Sequence, residues 1–162
     1  MIRHVEPKDV KFITNIYNEY VRNSVVTFET EPVSENTMRS RISEISSQFP
    51  YFVYETDGEV IGYCYAHAWK EKAAYKYTAE VTVYLSPLFR GKGIGKELML
   101  RLIDDCRENG YHALIACITS ENKTSSSLYL KLGFKQVSYF KEVGMKFERW
   151  LDVSDYELLL TS

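Results

Sequence analysis

The segment Arg90 to Lys96, RGKGIGK, stands between a run of alternating apolar and polar residues and an amphipathic run, and it limits what the chain can build there. Glycines at 91, 93 and 95 let a ligand approach the backbone with no side chain between. A helix that starts here turns its free N–H groups to the same place. With Arg90, Lys92 and Lys96 beside them, these amides suit a phosphate. Two common phosphate loops do not fit. A P-loop needs four residues before its Gly-Lys pair and a hydroxyl residue after it. Gly91 to Gly95 encloses three, and Glu97 follows Lys96. A dinucleotide fingerprint from Gly91 and Gly93 requires a third glycine where Lys96 stands. What remains is R-x-x-G-x-G, or a glycine-rich turn that does no more than cap the helix.

A chain of 162 residues can bury one sizeable core and is short for two, so the expectation is one domain over residues 1–162. The net charge of -2, with Lys and Arg dispersed, supplies no basic field for nucleic acid, so any anion site must be local. No segment is long and apolar enough to span a bilayer, and MIRHVEPKD lacks the apolar run of a secretory signal. Cys64, Cys106 and Cys117 are odd in number and unclustered. They read as core residues of a cytoplasmic protein, with Cys117 in a buried strand, rather than as a disulfide or metal set. The histidines His4, His67 and His112 lack metal spacing and receive no role.

A short strand at Ile2 to Val5 precedes a helix opened by Pro7 and Asp9, with Val10, Ile13, Ile16, Tyr17 and Tyr20 at helical spacing. Ser34 is placed to cap a second helix carrying Met38, Ile42 and Ile45. Asp57-Gly58 joins Tyr51–Glu55 to Val60–Trp69 as an antiparallel hairpin. Tyr77 to Leu85 alternates, with Ala79, Val81, Val83 and Leu85 on one face and Thr78, Glu80, Thr82 and Tyr84 on the other. The helix after the glycine loop stops at Asn109-Gly110, and a strand at Ala113 to Ile118 follows, so the two strands are predicted to be parallel. A short helix near Lys123–Leu132 and strands near Phe134–Tyr139 and Leu151–Leu160 complete the chain.

This order, with RGKGIG after the fourth strand and SLYLKLGF near the C-terminal end, resembles the GNAT superfamily of acyl-CoA-dependent N-acetyltransferases over nearly the whole chain. Within it, YTAEVTVYLSP, LMLRLIDDC and VGMKFERWLDV are similar to the phosphinothricin and methionine sulfoximine acetyltransferases. The resemblance implies an α+β fold of three layers, α/β/α, around a mixed, mostly antiparallel sheet of about seven strands splayed between the fourth and fifth. It implies acetyl-CoA as acetyl donor and no metal. The pantetheine arm would pair with Val83, Tyr84 and Leu85, and the pyrophosphate would sit on Arg90, Gly91, Lys92, Gly93, Ile94, Gly95 and Lys96. Asn122 matches a polar position that touches the cofactor; by its own position it also suits a helix cap.

An ammonium has no lone pair with which to attack a thioester, so an acetyltransferase working near neutral pH gains from a base. Glu80 aligns with the base glutamate of the phosphinothricin group; alone it would read as a solvated glutamate on an exposed sheet face. Tyr129 stands where many GNAT enzymes carry a tyrosine that protonates the departing thiolate, although phosphinothricin relatives often have histidine there. The family geometry also implies an amide near Tyr84, freed by a bulge, that stabilises the developing oxyanion. The resemblance lines the acceptor pocket with Phe28, Glu29, Ala73, Ala74 and Tyr75, and Lys146 or Arg149 would meet an acceptor carboxylate.

The resulting expectation is a small-molecule amine acetyltransferase acting by direct transfer in a ternary complex, on acceptors such as phosphinothricin, methionine sulfoximine or methionine sulfone. The resemblance also implies a homodimer. Acetylation of protein N-termini or lysines, and CoA sensing without turnover, are the alternatives.

Overall fold

Alternation in the sequence becomes an eight-stranded sheet in the computed structural model, which describes residues 1–160. The elements are β1 (Ile2–His4), α1 (Val10–Asn23), α2 (Glu35–Ser46), β2 (Tyr51–Thr56), β3 (Glu59–Ala68), β4 (Thr78–Leu85), α3 (Ile94–Glu108), β5 (Ala113–Thr119), α4 (Lys123–Lys131), β6 (Lys135–Gln136), β7 (Phe140–Lys146) and β8 (Arg149–Leu159). The strand order is β1-β2-β3-β4-β5-β8-β6, with β7 also paired to β8. All pairs are antiparallel except β4 with β5.

Helices cover both faces. Val10, Ile13, Ile16, Tyr17 and Tyr20 of α1, with Met38 and Ile42 of α2, pack on Tyr51, Val53, Val60 and Tyr63. On the opposite face Leu98, Met99, Leu102 and Cys106 of α3, with Tyr129 of α4, pack on Phe52, Cys64, Ala66, Ala79, Val81, Leu114 and Ala116. Each set recurs at the period of its element, so the helices contribute one apolar stripe and each strand divides its residues between two cores.

Local chemistry sets the boundaries. Ser34 accepts a hydrogen bond from Thr37 N–H at 3.1 Å and caps α2, as its position predicts. Asp57 and Gly58 turn the β2–β3 hairpin at φ 51° and 79°. The C-terminal region differs from the sequence expectation of two strands, because β6 is two residues long and β7 is an additional strand. The β7–β8 turn uses Phe147 and Glu148 at φ 52° and 59°, residue types that carry no hairpin signal.

Two features shape the site. Only Thr78, Ala79 and Glu80 of β4 pair with β5, opposite Ala113, Leu114 and Ile115, so the strands part beyond Glu80. On its other side β4 pairs with β3 without a register shift from Ala79 to Leu85, so the bulge expected near Tyr84 is not there. Ser86 N–H bonds Ile61 O at 2.8 Å. Alternation then turns the Tyr84 amide towards β3 and those of Val83 and Leu85 towards the gap. Unpaired amides thus arise from the parting of two strands.

Candidate active site

Two cavities meet in that gap. The first, of about 300 Å³, is lined by Glu80, Thr82, Tyr65, His67, Thr27 and Phe28 among others, and Tyr129 and Cys117 reach it from α4 and β5. The second, of about 460 Å³, is lined by Leu85, Arg90, Gly91, Gly93, Gly95 and Lys96, with Leu128 and Lys131 of α4 opposite. Val26, Val83, Tyr84, Asn122 and Ser125 line both, so they form the passage between them.

The glycine loop is built for close approach. Gly91 and Gly93 have φ of 76° and 81°, a conformation that other residues adopt at a cost, and a Cβ on either would point into open space. Gly93 is the N-cap of α3, so the free amides of the first turn face the second cavity. Arg90 is held over the Tyr20 ring, its guanidinium carbon 5.1 Å from the centroid and its Nε 3.3 Å from the hydroxyl. Gly95 lies beside Leu85 and Leu128, where a Cβ would be at 3.5 and 3.6 Å. Ile94 turns inward and is buried, and Lys92 lies over the Phe89 ring, its Nζ 5.3 Å from the centroid. Neither lines the cavity.

In the first cavity Glu80 sits across the sheet from His67, with Oε2 3.5 Å from the imidazole Nε2. Tyr129 comes from the other face, its ring edge-on to Phe134 with centroids 5.0 Å apart. Burial pushes the Tyr129 hydroxyl above its ordinary range, so it stays protonated at neutral pH. The gap therefore presents a carboxylate on one side and a phenol on the other. Asn122 caps α4 by accepting from Ser125 N–H at 3.2 Å, and it also lines both cavities.

An acetyltransferase (GNAT) domain description matches residues 2–154. The chain belongs to the GNAT acetyltransferase family. It is an N-acetyltransferase, and its relatives carry names of that kind. Phosphinothricin N-acetyltransferase of Alcaligenes faecalis is 37% identical over 153 residues, covering 93% of this chain and 78% of that protein. The L-methionine sulfoximine/L-methionine sulfone acetyltransferase of Salmonella typhimurium is 35% identical over 160 residues, covering 98% and 94%. The crystal structure of a GNAT superfamily phosphinothricin acetyltransferase from Sinorhizobium meliloti in complex with acetyl-CoA superposes with a TM-score of 0.95 at 39% identity, covering 98% of this chain and 87% of that one.

Several residues expected on the acceptor side of this GNAT chain lie away from the first cavity. Ala73, Ala74 and Tyr75 form an exposed turn that lines neither cavity, with Tyr75 packed edge-on against Trp69. Glu29 is engaged by Arg41 and the Tyr17 hydroxyl, which hold its carboxyl below the usual range. Lys146 is buried, and its ammonium donates to Thr27 O at 2.8 Å behind the cavity wall; burial lowers its pKa. Arg149 pairs with Glu121 at 3.2 Å on the surface. Of the residues predicted to meet the acceptor, Phe28 alone reaches the first cavity.

Cys117 is exposed at the cavity rather than buried in its strand, because β5 has no partner on that side once β4 diverges. Although solvent reaches the residue, the protein packed around its sulfur strips away part of the hydration, and with the nearby carboxylates of Asp155 and Glu80 this pushes the thiol up to about 12, so it remains un-ionised and poorly nucleophilic at neutral pH. His67, Tyr65, Thr27 and Thr82 were not singled out from the sequence. For His67 the signal was available in principle, because a hairpin register that pairs Tyr65 with Thr82 must set His67 opposite Glu80.

Proposed function

We propose that this GNAT enzyme transfers the acetyl group of acetyl-CoA to the amine of a free amino-acid analogue such as phosphinothricin, methionine sulfoximine or methionine sulfone. The observation that carries the reading is the junction of the two cavities in the β4–β5 gap, with the glycine loop at one end and Glu80 at the other. Relatives named for these acceptors, and a neighbouring structure that contains acetyl-CoA, support it.

The residues fit the donor. Amides of the loop and of the first turn of α3, with Arg90 and Lys96, suit a diphosphate. The free edge of β4 at Val83 and Leu85 suits an arm that carries its own amide groups. Acetyl-CoA supplies an activated acetyl thioester. Glu80 takes the proton from the acceptor ammonium, directly or through water, and the Tyr129 phenol supplies a proton to the departing sulfur. Outward-facing amides of β4 are in position to receive developing negative charge. The thiols support direct transfer in a ternary complex over a cysteine acyl-enzyme: Cys64 and Cys106 are buried, and the Cys117 thiol is pushed up.

The same reading places the protein in the cytosol, where three free cysteines stay reduced, and pairs it with a second copy through an apolar outer face on β7 and β8. No helix among the described residues is long and apolar enough to cross a membrane. The test is thiol release from acetyl-CoA with a panel of amino-acid analogues, simple amines and short peptides. Faster release with at least one of the three named analogues is expected. Release with peptides alone would move the function to protein acetylation, and silence across the panel would leave a CoA-binding protein without turnover.

A further inference from the structure

An α-amino acid carries its ammonium and carboxylate on one carbon, so a site that binds it as a zwitterion needs an acid and a base side by side. The first cavity has such a pair. Glu80 and His67 are cross-strand partners on β4 and β3, and their carboxylate and imidazole lie 3.5 Å apart with each side chain about one-third exposed, at 28% and 33%. Both line the cavity, and the Tyr65 ring packs beside His67 with centroids 5.7 Å apart.

Among the described residues His67 is the one basic side chain that lines this cavity. The neighbouring cations are spent elsewhere: Lys146 on Thr27 O, Arg41 on Glu29, Arg149 on Glu121, and Arg90 over Tyr20 in the other cavity. An acceptor carboxylate brought next to Glu80 without a counter-charge would be repelled by it and left partly desolvated.

We infer that His67 receives the carboxylate of the acceptor, so that the Glu80–His67 pair recognises an amino acid as a zwitterion and selects it over amines that lack the acid group. The ammonium lies against Glu80, which is also its base, and the carboxylate accepts from the imidazole N–H of His67. Each member of the pair thus meets a group of complementary hydrogen-bonding character on the ligand. The inference rests on the reading that the acceptor is a free amino-acid analogue.

The experiment compares methionine sulfone with its carboxamide as acceptors, reading KM for each by thiol release in the wild type, His67→Gln and His67→Lys. The measured quantity is the KM of the acid divided by that of the amide. This ratio cancels any effect of the substitution on Glu80 or on folding, which both acceptors share. In His67→Gln it should rise roughly tenfold, as expected for the loss of one charge-assisted hydrogen bond, and His67→Lys should return it towards the wild-type value. A ratio unchanged in His67→Gln, with both acceptors still turned over, overturns the role of His67 and leaves the proposed function standing. No release with either acceptor in the wild type overturns the acceptor reading and the inference together.

Discussion

Glu80 occupies the cavity because of strand register: an uninterrupted pairing from Ala79 to Leu85 sets it opposite His67 and on the face shared by Thr82 and Tyr84. A base at this point matters because the acceptor arrives as an ammonium. Glu80→Gln keeps the size and removes the proton acceptor, so kcat at saturating amine between pH 7 and 8 should fall by about 10²–10⁴, as measured by thiol release. Binding of acetyl-CoA by calorimetry should stay within about twofold, since the residues lining the second cavity do not include Glu80. Unchanged turnover would remove Glu80 from the chemistry. Tyr129 illustrates the other side of residue-scale reading. Its position in SLYLKLGF pointed to a role, but tertiary packing buries the ring against Phe134 and brings the residue to the lining of the first cavity.

Between elements, the first cavity depends on β7, a strand distant in sequence from Phe28, which it supports. Gly144 on β7 lies against the Phe28 ring, and a Cβ at that position would overlap it. Phe28 lines the first cavity, so Gly144→Ala should displace the ring and alter the fit of the acceptor. The expected outcome is a rise in acceptor KM of about threefold to tenfold with the KM of acetyl-CoA unchanged, both read from steady-state kinetics. Equal changes in the two constants would point to a general loss of structure. Helices and their ends were legible because capping is local: Ser34, Asn122 and Asn109-Gly110 stand at the boundaries their chemistry predicts. The β7–β8 hairpin was not legible. Its turn is made by Phe147 and Glu148, and their positive φ is imposed by pairing of the flanking strands rather than favoured by the residues.

At the scale of the whole molecule, α1 and α2 cover one face of the sheet and α3 and α4 the other, yet the outer side of the β7–β8 hairpin stays open. Met145 and Trp150 are opposite each other in the register, and both are exposed, as are Val143 and Phe147. Exposed apolar side chains in such number favour contact with a like surface. Sedimentation should give the mass of a dimer at micromolar concentration, and Trp150→Asp should shift it to that of the monomer. A wild-type monomer at that concentration would count against the pairing.

The glycine loop, the alternation of β4, the helical stripes and the hairpin at Asp57-Gly58 all depend on contacts between near neighbours in the chain, and such contacts are written in residue type and spacing. The first cavity is assembled differently. Which cations are spent on Thr27, Glu29 or Glu121, how far β4 keeps its pairing with β5, and that His67 faces Glu80 depend on residues far apart in sequence and brought together by packing and register. Spacing along the chain holds no record of those meetings, because they exist only once the two cores have closed on the sheet.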